Sequence, residues 1–347
     1  MKAAVLRGEN DIVYKDIQRP EIGDDEVLVN VKATGICGSD IPRVLGKAAH
    51  YYPIVLGHEF AGVVAEVGNN VTDVEVGTRV TCAPLVPCHR CAECQMGYFS
   101  QCSHYKFIGS SLFGSWAEYV RVPAINVVRL PDEVSFEEGA FFEPSTVVLH
   151  GIFNADFRAG YSAAVLGCGT IGQLAVQWLR IMGASHIYAF DIDGEKLELA
   201  KELGADACFN TSVEGFEEKL KDILEDGGVD YVFETAGVSF TQRLSLSVAA
   251  KRGTICFIGT PTKDLTLQPH LFEVILRKEL TLKGSWMSYS APFPGREWKL
   301  TAEAFKKKDL KVDPLIYKRF PLRDVNKAFD LFRNRSPVKG KIMLINE

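Results

Sequence analysis

The stretch from Ser162 to Gly172 constrains this chain most. Ser162-Ala163-Ala164-Val165-Leu166 is an unbroken apolar run, and Gly167-Cys168-Gly169-Thr170-Ile171-Gly172 follows it as G-x-G-x-x-G. Leu174, Ala175, Trp178 and Leu179 then continue at helical spacing. A lone glycine motif is weak, but strand, turn and helix in this order give it meaning. The glycines let the backbone approach a pyrophosphate, which then lies at the helix N-terminus. Asp191 ends the next apolar run. A carboxylate there accepts hydrogen bonds from an adenosine ribose and repels a 2′-phosphate, so the pattern predicts NAD rather than NADP. The rival is a βαβ unit with tight turns and no nucleotide, against which the placed acid argues.

The strand idea repeats at Ile187 to Asp191, Asp230 to Glu234 and Thr254 to Ile258. Amphipathic helices alternate with these runs, one of them Leu197 to Leu203 closed by Gly204. Apolar strands alternating with helices predict a doubly wound parallel sheet of the Rossmann type. The first half reads differently. Val27 to Val31 and Gly62 to Val67 are short β segments with Gly and Pro between them, as in a β-rich domain. Length alone suggests about two domains for 347 residues.

A formal net charge of -5 argues against a nucleic-acid or anionic-membrane partner. No run approaches the roughly 18 apolar residues that span a bilayer. The N-terminal stretch does not read as a signal peptide, so a cytoplasmic, reducing location is expected. There, nine cysteines are metal ligands or buried apolar residues rather than disulfides.

Four of them are clustered. Cys88, Cys91 and Cys94 stand as C-x2-C-x2-C, and Cys102 follows in a polar loop. Four thiolates so spaced satisfy a tetrahedral zinc and leave it no open position, so the ion is structural. An iron–sulfur cluster takes the same ligands, although no other electron-transfer feature accompanies it.

A second constellation is more scattered. Cys37-Gly38-Ser39-Asp40, Gly57-His58-Glu59-Phe60 and Glu143-Pro144 offer a thiolate, an imidazole and a carboxylate. Three protein ligands and an open position suit a catalytic zinc. Taken singly, Cys37 reads equally as a small core residue and His58 as a satisfied one.

Cys37, Gly57-His58-Glu59, the cysteine lobe and the glycine-rich turn, in that order, resemble the zinc-containing medium-chain alcohol dehydrogenases over essentially the whole chain. The resemblance implies a GroES-like catalytic domain over residues 1–148, a Rossmann NAD-binding domain over 149–288, and a return to the catalytic domain over 289–347. It implies that Cys37, His58 and Glu143 hold the catalytic zinc and that Glu59 is a nearby carboxylate able to approach it. Glu143 in place of a cysteine looks like the polyol branch. Ala49 to Pro53, Gly97 to Cys102 and Gly284 to Trp298 look closer still to its members acting on galactitol 1-phosphate. The loop Ser111 to Ser115 departs from those, because it lacks a basic residue.

The expected reaction passes a hydride from a secondary hydroxyl of a polyol phosphate to NAD. The alternatives are a dehydrogenase of a free polyol or vicinal diol and, from another class, a non-catalytic NAD-binding structural or regulatory relative. Ser39 resembles the family's proton-relay hydroxyl, although a turn serine is the plainer reading. Many relatives carry a histidine where this chain has Pro42, so His50 and Tyr51 enter as further candidates. Asp40 either supports His58 through its free ring nitrogen or caps the following helix. Thr235, Gly259 and Ser285, with the neighbouring Trp286, are expected at the dinucleotide. Lys196 either reaches the ribose or is solvated. Arg43, Lys47, Lys283 and Arg296 are candidate cations for a phosphate. The resemblance also implies a homodimer or homotetramer, paired through the Rossmann sheet edge.

Overall fold

The computed structural model describes residues 1–346, without the side chains of residues 217, 219 and 222–224. Its contacts divide the chain into two units. One comprises Met1–Glu143, Tyr289–Lys308 and Val312–Glu347, and the other Pro144–Ser288 with Asp309–Lys311. The sequence reading placed the first boundary at 148 and the second at 288.

The first unit is β-rich. The long strand Glu26–Ile36 is its spine, alternating apolar residues into the core formed with Phe60, Val64, Val80 and Val120. It pairs antiparallel with Glu59–Val67, with Tyr119–Pro123 and with the C-terminal strand Lys341–Ile345. The return of the chain end is therefore literal. Ile342 and Leu344 join a core with Val5, Ile54, Trp116 and Phe329. Gly35 lies opposite both Glu59 and Met343 in this ladder. A Cβ on Gly35 would fall 2.3 Å from a Glu59 carboxylate oxygen, so only glycine leaves room for that side chain.

The second unit is a six-stranded sheet, parallel at every pairing. Across it run Ala207–Asn210, His186–Asp191, Ser162–Leu166, Val229–Glu234, Ala249–Phe257 and Thr281–Gly284. Its order is that of a doubly wound dinucleotide fold, whose crevice opens at the carboxyl ends of the central strands. Parallel strands are buried on both faces, which explains the unpunctuated run Ala163 to Leu166, each residue fully buried. The helix Thr170–Ile181 is buried on all sides from Gly172 to Leu179. The helix Gly194–Glu202 starts at Asp193, whose carboxylate accepts the Glu195 amide, and Gly204 follows it at φ +120°. The strand predicted from Thr254 begins earlier, at Ala249. Among the described residues, no helix is long and apolar enough to cross a membrane.

Candidate active site

The thiol of Cys37 follows the end of the strand Glu26–Ile36, and His58 and Glu59 open the neighbouring one. Strand pairing thus brings together residues about twenty positions apart. One donor atom from each of Cys37, His58 and Glu59 lies within 4.8 Å of the others. Glu143, which the resemblance implies as a ligand, lies next to this described cluster, whose carboxylate is that of Glu59. It is partly buried and close enough to feel the charges of His58 and Glu59.

Electrostatics suit a divalent cation here. Burial, reinforced by the charge of Glu59, pushes the Cys37 thiol up to about 12. Burial likewise pushes the Glu143 carboxyl up to about 7, with His58 opposing and Glu59 adding to it. Glu59 Oε2 is buried with no hydrogen-bond partner among the described residues. Such a crowd of acceptors is costly unless a positive charge sits among them. A thiolate, an imidazole and carboxylates are zinc's donor set. The residues present therefore fit the ion.

Lys341 was not foreseen. It opens the apolar strand Lys341–Ile345, and its ammonium donates to Glu59 Oε1 at 2.6 Å. The other Glu59 oxygen is left for the cluster.

Asp40 occupies the N-cap position of the helix Ile41–Leu45 but makes no side-chain cap bond there. Its buried carboxylate accepts the Cys37 amide at 3.1 Å and lies 3.7 Å from His58 Nδ1. Burial pushes it above the usual carboxylate range, against the pull of His58 and Arg43. Arg43 Nη1 donates to Ser39 Oγ at 2.8 Å and lies 3.4 Å from Asp40 Oδ1. As a candidate phosphate ligand Arg43 is thus partly engaged, and Lys283 is paired with Asp156. Ser39 is exposed. His50 is exposed too and makes no hydrogen bond among the described residues. Tyr51 donates to the Ser111 carbonyl at 3.4 Å.

Behind His58 the backbones close up. Gly57 has φ +94°, and a Cβ on either Gly109 or Gly114 would come within 2.2 Å of its carbonyl oxygen. The imidazole itself rests edge-on against Phe107 at 5.4 Å.

Cys88, Cys91, Cys94 and Cys102 form the second cluster, again within 4.8 Å. Backbone amides, that of Arg90 foremost, bring the Cys88 thiol down to about 6. Burial pushes Cys94 up to about 12, and the thiols of Cys91 and Cys102 add to it. Thiols that disturb one another this strongly fit a shared cation. His89 and Phe99 stack edge-to-face with Phe293, tying this lobe to the segment after Tyr289.

The second unit carries the glycine turn. Gly167 has φ +99°, and a Cβ on Gly172 would lie 1.8 Å from the Gly167 carbonyl oxygen, so helix and strand meet without a side chain between. Gly169 caps the helix Thr170–Ile181, and a Cβ there would meet nothing within 4 Å, which leaves the approach to the amides of Thr170 and Ile171 open. Asp191 accepts the Cys168 amide at 2.6 Å and the Asp193 amide at 2.9 Å. Thr235 donates to the Gly167 carbonyl at 2.7 Å. Gly259 packs so closely on Gly237 that a Cβ would come 2.2 Å from its nitrogen. Ser285 extends the sheet's crevice side, its amide donating to Phe257. Lys196 is half-buried on the helix Gly194–Glu202. Sequence reasoning missed Glu234. One of its buried oxygens accepts the amides of Ala236 and Gly237 and the Thr241 hydroxyl, and so shapes the loop at the strand end.

A β-rich unit with two cysteine-containing metal clusters, together with a dinucleotide-binding sheet, defines a metal-dependent oxidoreductase. Residues 23–132 match the family model described as an alcohol dehydrogenase GroES-like domain, and residues 170–303 that described as a zinc-binding dehydrogenase. The chain belongs to the zinc-dependent medium-chain alcohol and polyol dehydrogenases. It is 43% identical to galactitol 1-phosphate 5-dehydrogenase of Escherichia coli strain K12, covering 99% of this chain and 100% of that one. It is 33% identical to a sorbitol dehydrogenase of Bombyx mori, covering 99% of each. The crystal structure of galactitol-1-phosphate dehydrogenase from Escherichia coli superposes with a TM-score of 0.95 at 41% identity, covering 99% of this chain and 100% of that one. The protein is thus a dehydrogenase, and the expected zinc and nicotinamide cofactors are those of its family. The alternative of a non-catalytic relative falls away.

Proposed function

We propose that this chain oxidises a secondary hydroxyl of a polyol phosphate, resembling galactitol 1-phosphate, with NAD as the acceptor. The observation that carries the reading is the convergence of Cys37, His58 and Glu59 within 4.8 Å. Glu143, a ligand by the family resemblance, is close enough to feel the charges of His58 and Glu59. When bound, zinc stabilises the alkoxide as a Lewis acid and the nicotinamide takes the hydride. The chain's own residues do the rest. Asp40 orients the His58 ring from its Nδ1 side, which leaves the other nitrogen for the metal. Lys341 holds Glu59 at a fixed reach. Ser39 carries the proton outward. Gly167, Gly169 and Gly172 admit the pyrophosphate at the amides of Thr170 and Ile171, and Asp191 receives the ribose and disfavours NADP. Thr235, Gly259, Ser285 and Lys196 line the remainder of the dinucleotide path. The cysteine lobe keeps a structural zinc.

Substrate phosphorylation rests on the likeness to the galactitol 1-phosphate enzyme. A second reading, a free polyol or vicinal diol, is favoured by two observations. The loop Ser111 to Ser115 carries no cation, and Arg43 is turned to Ser39 and Asp40. Initial rates of NAD reduction on galactitol against galactitol 1-phosphate, and sorbitol against sorbitol 6-phosphate, test the pair. Preference for the phosphorylated member supports the first reading, and equal rates or the reverse support the second.

A reducing cytoplasm is the location this reading proposes, where the nine cysteines serve as metal ligands or buried apolar residues. Homo-oligomerisation through the sheet edge is supported by the edge strand Thr281–Gly284 with exposed Leu282, and by the helix Pro269–Arg277, which buries no residue and exposes Phe272 and Leu276.

A further inference from the structure

We propose that Arg43 is a positioning residue for proton release, because it fixes the orientation of the Ser39 hydroxyl. The inference rests on the dehydrogenase reading above. Gly38–Asp40 form one turn of 3-10 helix directly after Cys37, and Ile41–Leu45 continue as α-helix. Residues four apart then lie on one face, which brings Arg43 back over Ser39. Its Nη1 donates to Ser39 Oγ at 2.8 Å and to the Ser39 carbonyl at 3.0 Å. The same nitrogen is 3.4 Å from Asp40 Oδ1, and this third acceptor anchors the guanidinium.

The consequence is a matter of counting hydrogens. A guanidinium only donates, whereas a serine hydroxyl has one hydrogen and two lone pairs. Arg43 occupies one lone pair, so the Ser39 hydrogen cannot point toward it. One lone pair and the O–H remain. That is the complement a relay needs. The free lone pair takes the proton of the substrate hydroxyl as the Ser39 O–H passes its own to a water. One O–H bond breaks at the substrate and one at Ser39, while one forms at Ser39 and one on water, and the serine ends neutral. Exposure of Ser39 gives that water access. Pro42, between the two residues, has no group that carries a proton. Without Arg43 the hydroxyl rotates freely and spends part of its time with its hydrogen aimed at the substrate.

Full-length, zinc-loaded protein tests this with Ser39→Ala, Arg43→Met, Arg43→Lys and the double variant Ser39→Ala/Arg43→Met. Arg43→Met is expected to lower kcat about tenfold with KM little changed, and to raise the solvent deuterium isotope effect on kcat. Arg43→Lys restores part of the rate. In the Ser39→Ala background the Arg43→Met change costs nothing more. The rate of zinc release to a chelator, read without substrate, stays that of the wild type. Independent losses in the double variant overturn the inference, as does an unchanged kcat in Arg43→Met. Faster zinc release that matches the lost rate also overturns it, because Arg43 would then act through Asp40 and the metal. A wild type that reduces NAD with none of the four substrates overturns the dehydrogenase assignment for these substrates and this inference with it. An active wild type with independent losses overturns this inference alone.

Discussion

Lys341 Nζ meets Glu59 Oε1 at 2.6 Å, with both side chains almost wholly buried. The pair joins the C-terminal strand to the strand that follows His58. Removing one partner of a buried ion pair leaves an uncompensated charge. Lys341→Met is therefore expected to destabilise the zinc-free protein by about 3–5 kcal/mol in urea denaturation. With zinc in excess the loss shrinks, because Glu59 can then turn to the ion. A loss independent of zinc would show that Glu59 does not reach the metal.

Zinc content separates the two clusters. The wild type is expected to hold two zinc ions per chain by elemental analysis. Cys94→Ser should hold one, melt at a lower temperature and still bind NAD. Glu143→Gln should keep the structural ion and bind the other at least about tenfold more weakly, by analogy with the loss seen on altering groups that merely support a ligand.

The proposed preference for NAD rests on Asp191. Asp191→Ala removes a charged acceptor for the ribose, and hydrogen bonds to charged groups are worth about 1.5–3 kcal/mol. The preference for NAD over NADP, taken as the ratio of kcat/KM values, should fall by at least about tenfold. An unchanged ratio would place discrimination elsewhere.

Sheet-edge association is checked by solution mass. Leu276→Glu with Leu282→Lys puts opposite charges on the helix and edge strand that expose these leucines. Light scattering after gel filtration should show monomer for the variant and a larger species for the wild type. Identical masses would rule this edge out.

What the sequence disclosed follows from distance along the chain. The cysteine lobe and the glycine turn are local patterns, and their geometry is set by a few backbone dihedrals. Thus both were legible. Cys37 and His58 could be named but not brought together, because strand pairing does that. Lys341 and Glu59 are 282 positions apart, and nothing near either one announces the other. A lysine at the head of the apolar run Ile342 to Ile345 was the available signal. The two readings of Asp40 were equally good on paper. The absence of a side-chain cap bond and a His58 nitrogen 3.7 Å away favour support of His58. Arg43 was noticed as a cation for a phosphate, but the helical geometry that folds it onto Ser39 was not weighed.

The glycine crossing behind His58 has an evolutionary consequence. Gly109 and Gly114 both abut the Gly57 carbonyl, so neither can accept even a methyl group without displacing the residue before the histidine. Between these two posts lie only Ser110 to Phe113, with Phe113 exposed. The tip can be rewritten while its mounts stay fixed. Such an arrangement resembles an interchangeable bit in a rigid holder: Phe113 alone is exposed and open to replacement, while the buried Ser110, Ser111 bonded to the Phe107 amide, and Leu112 against the core belong to the holder.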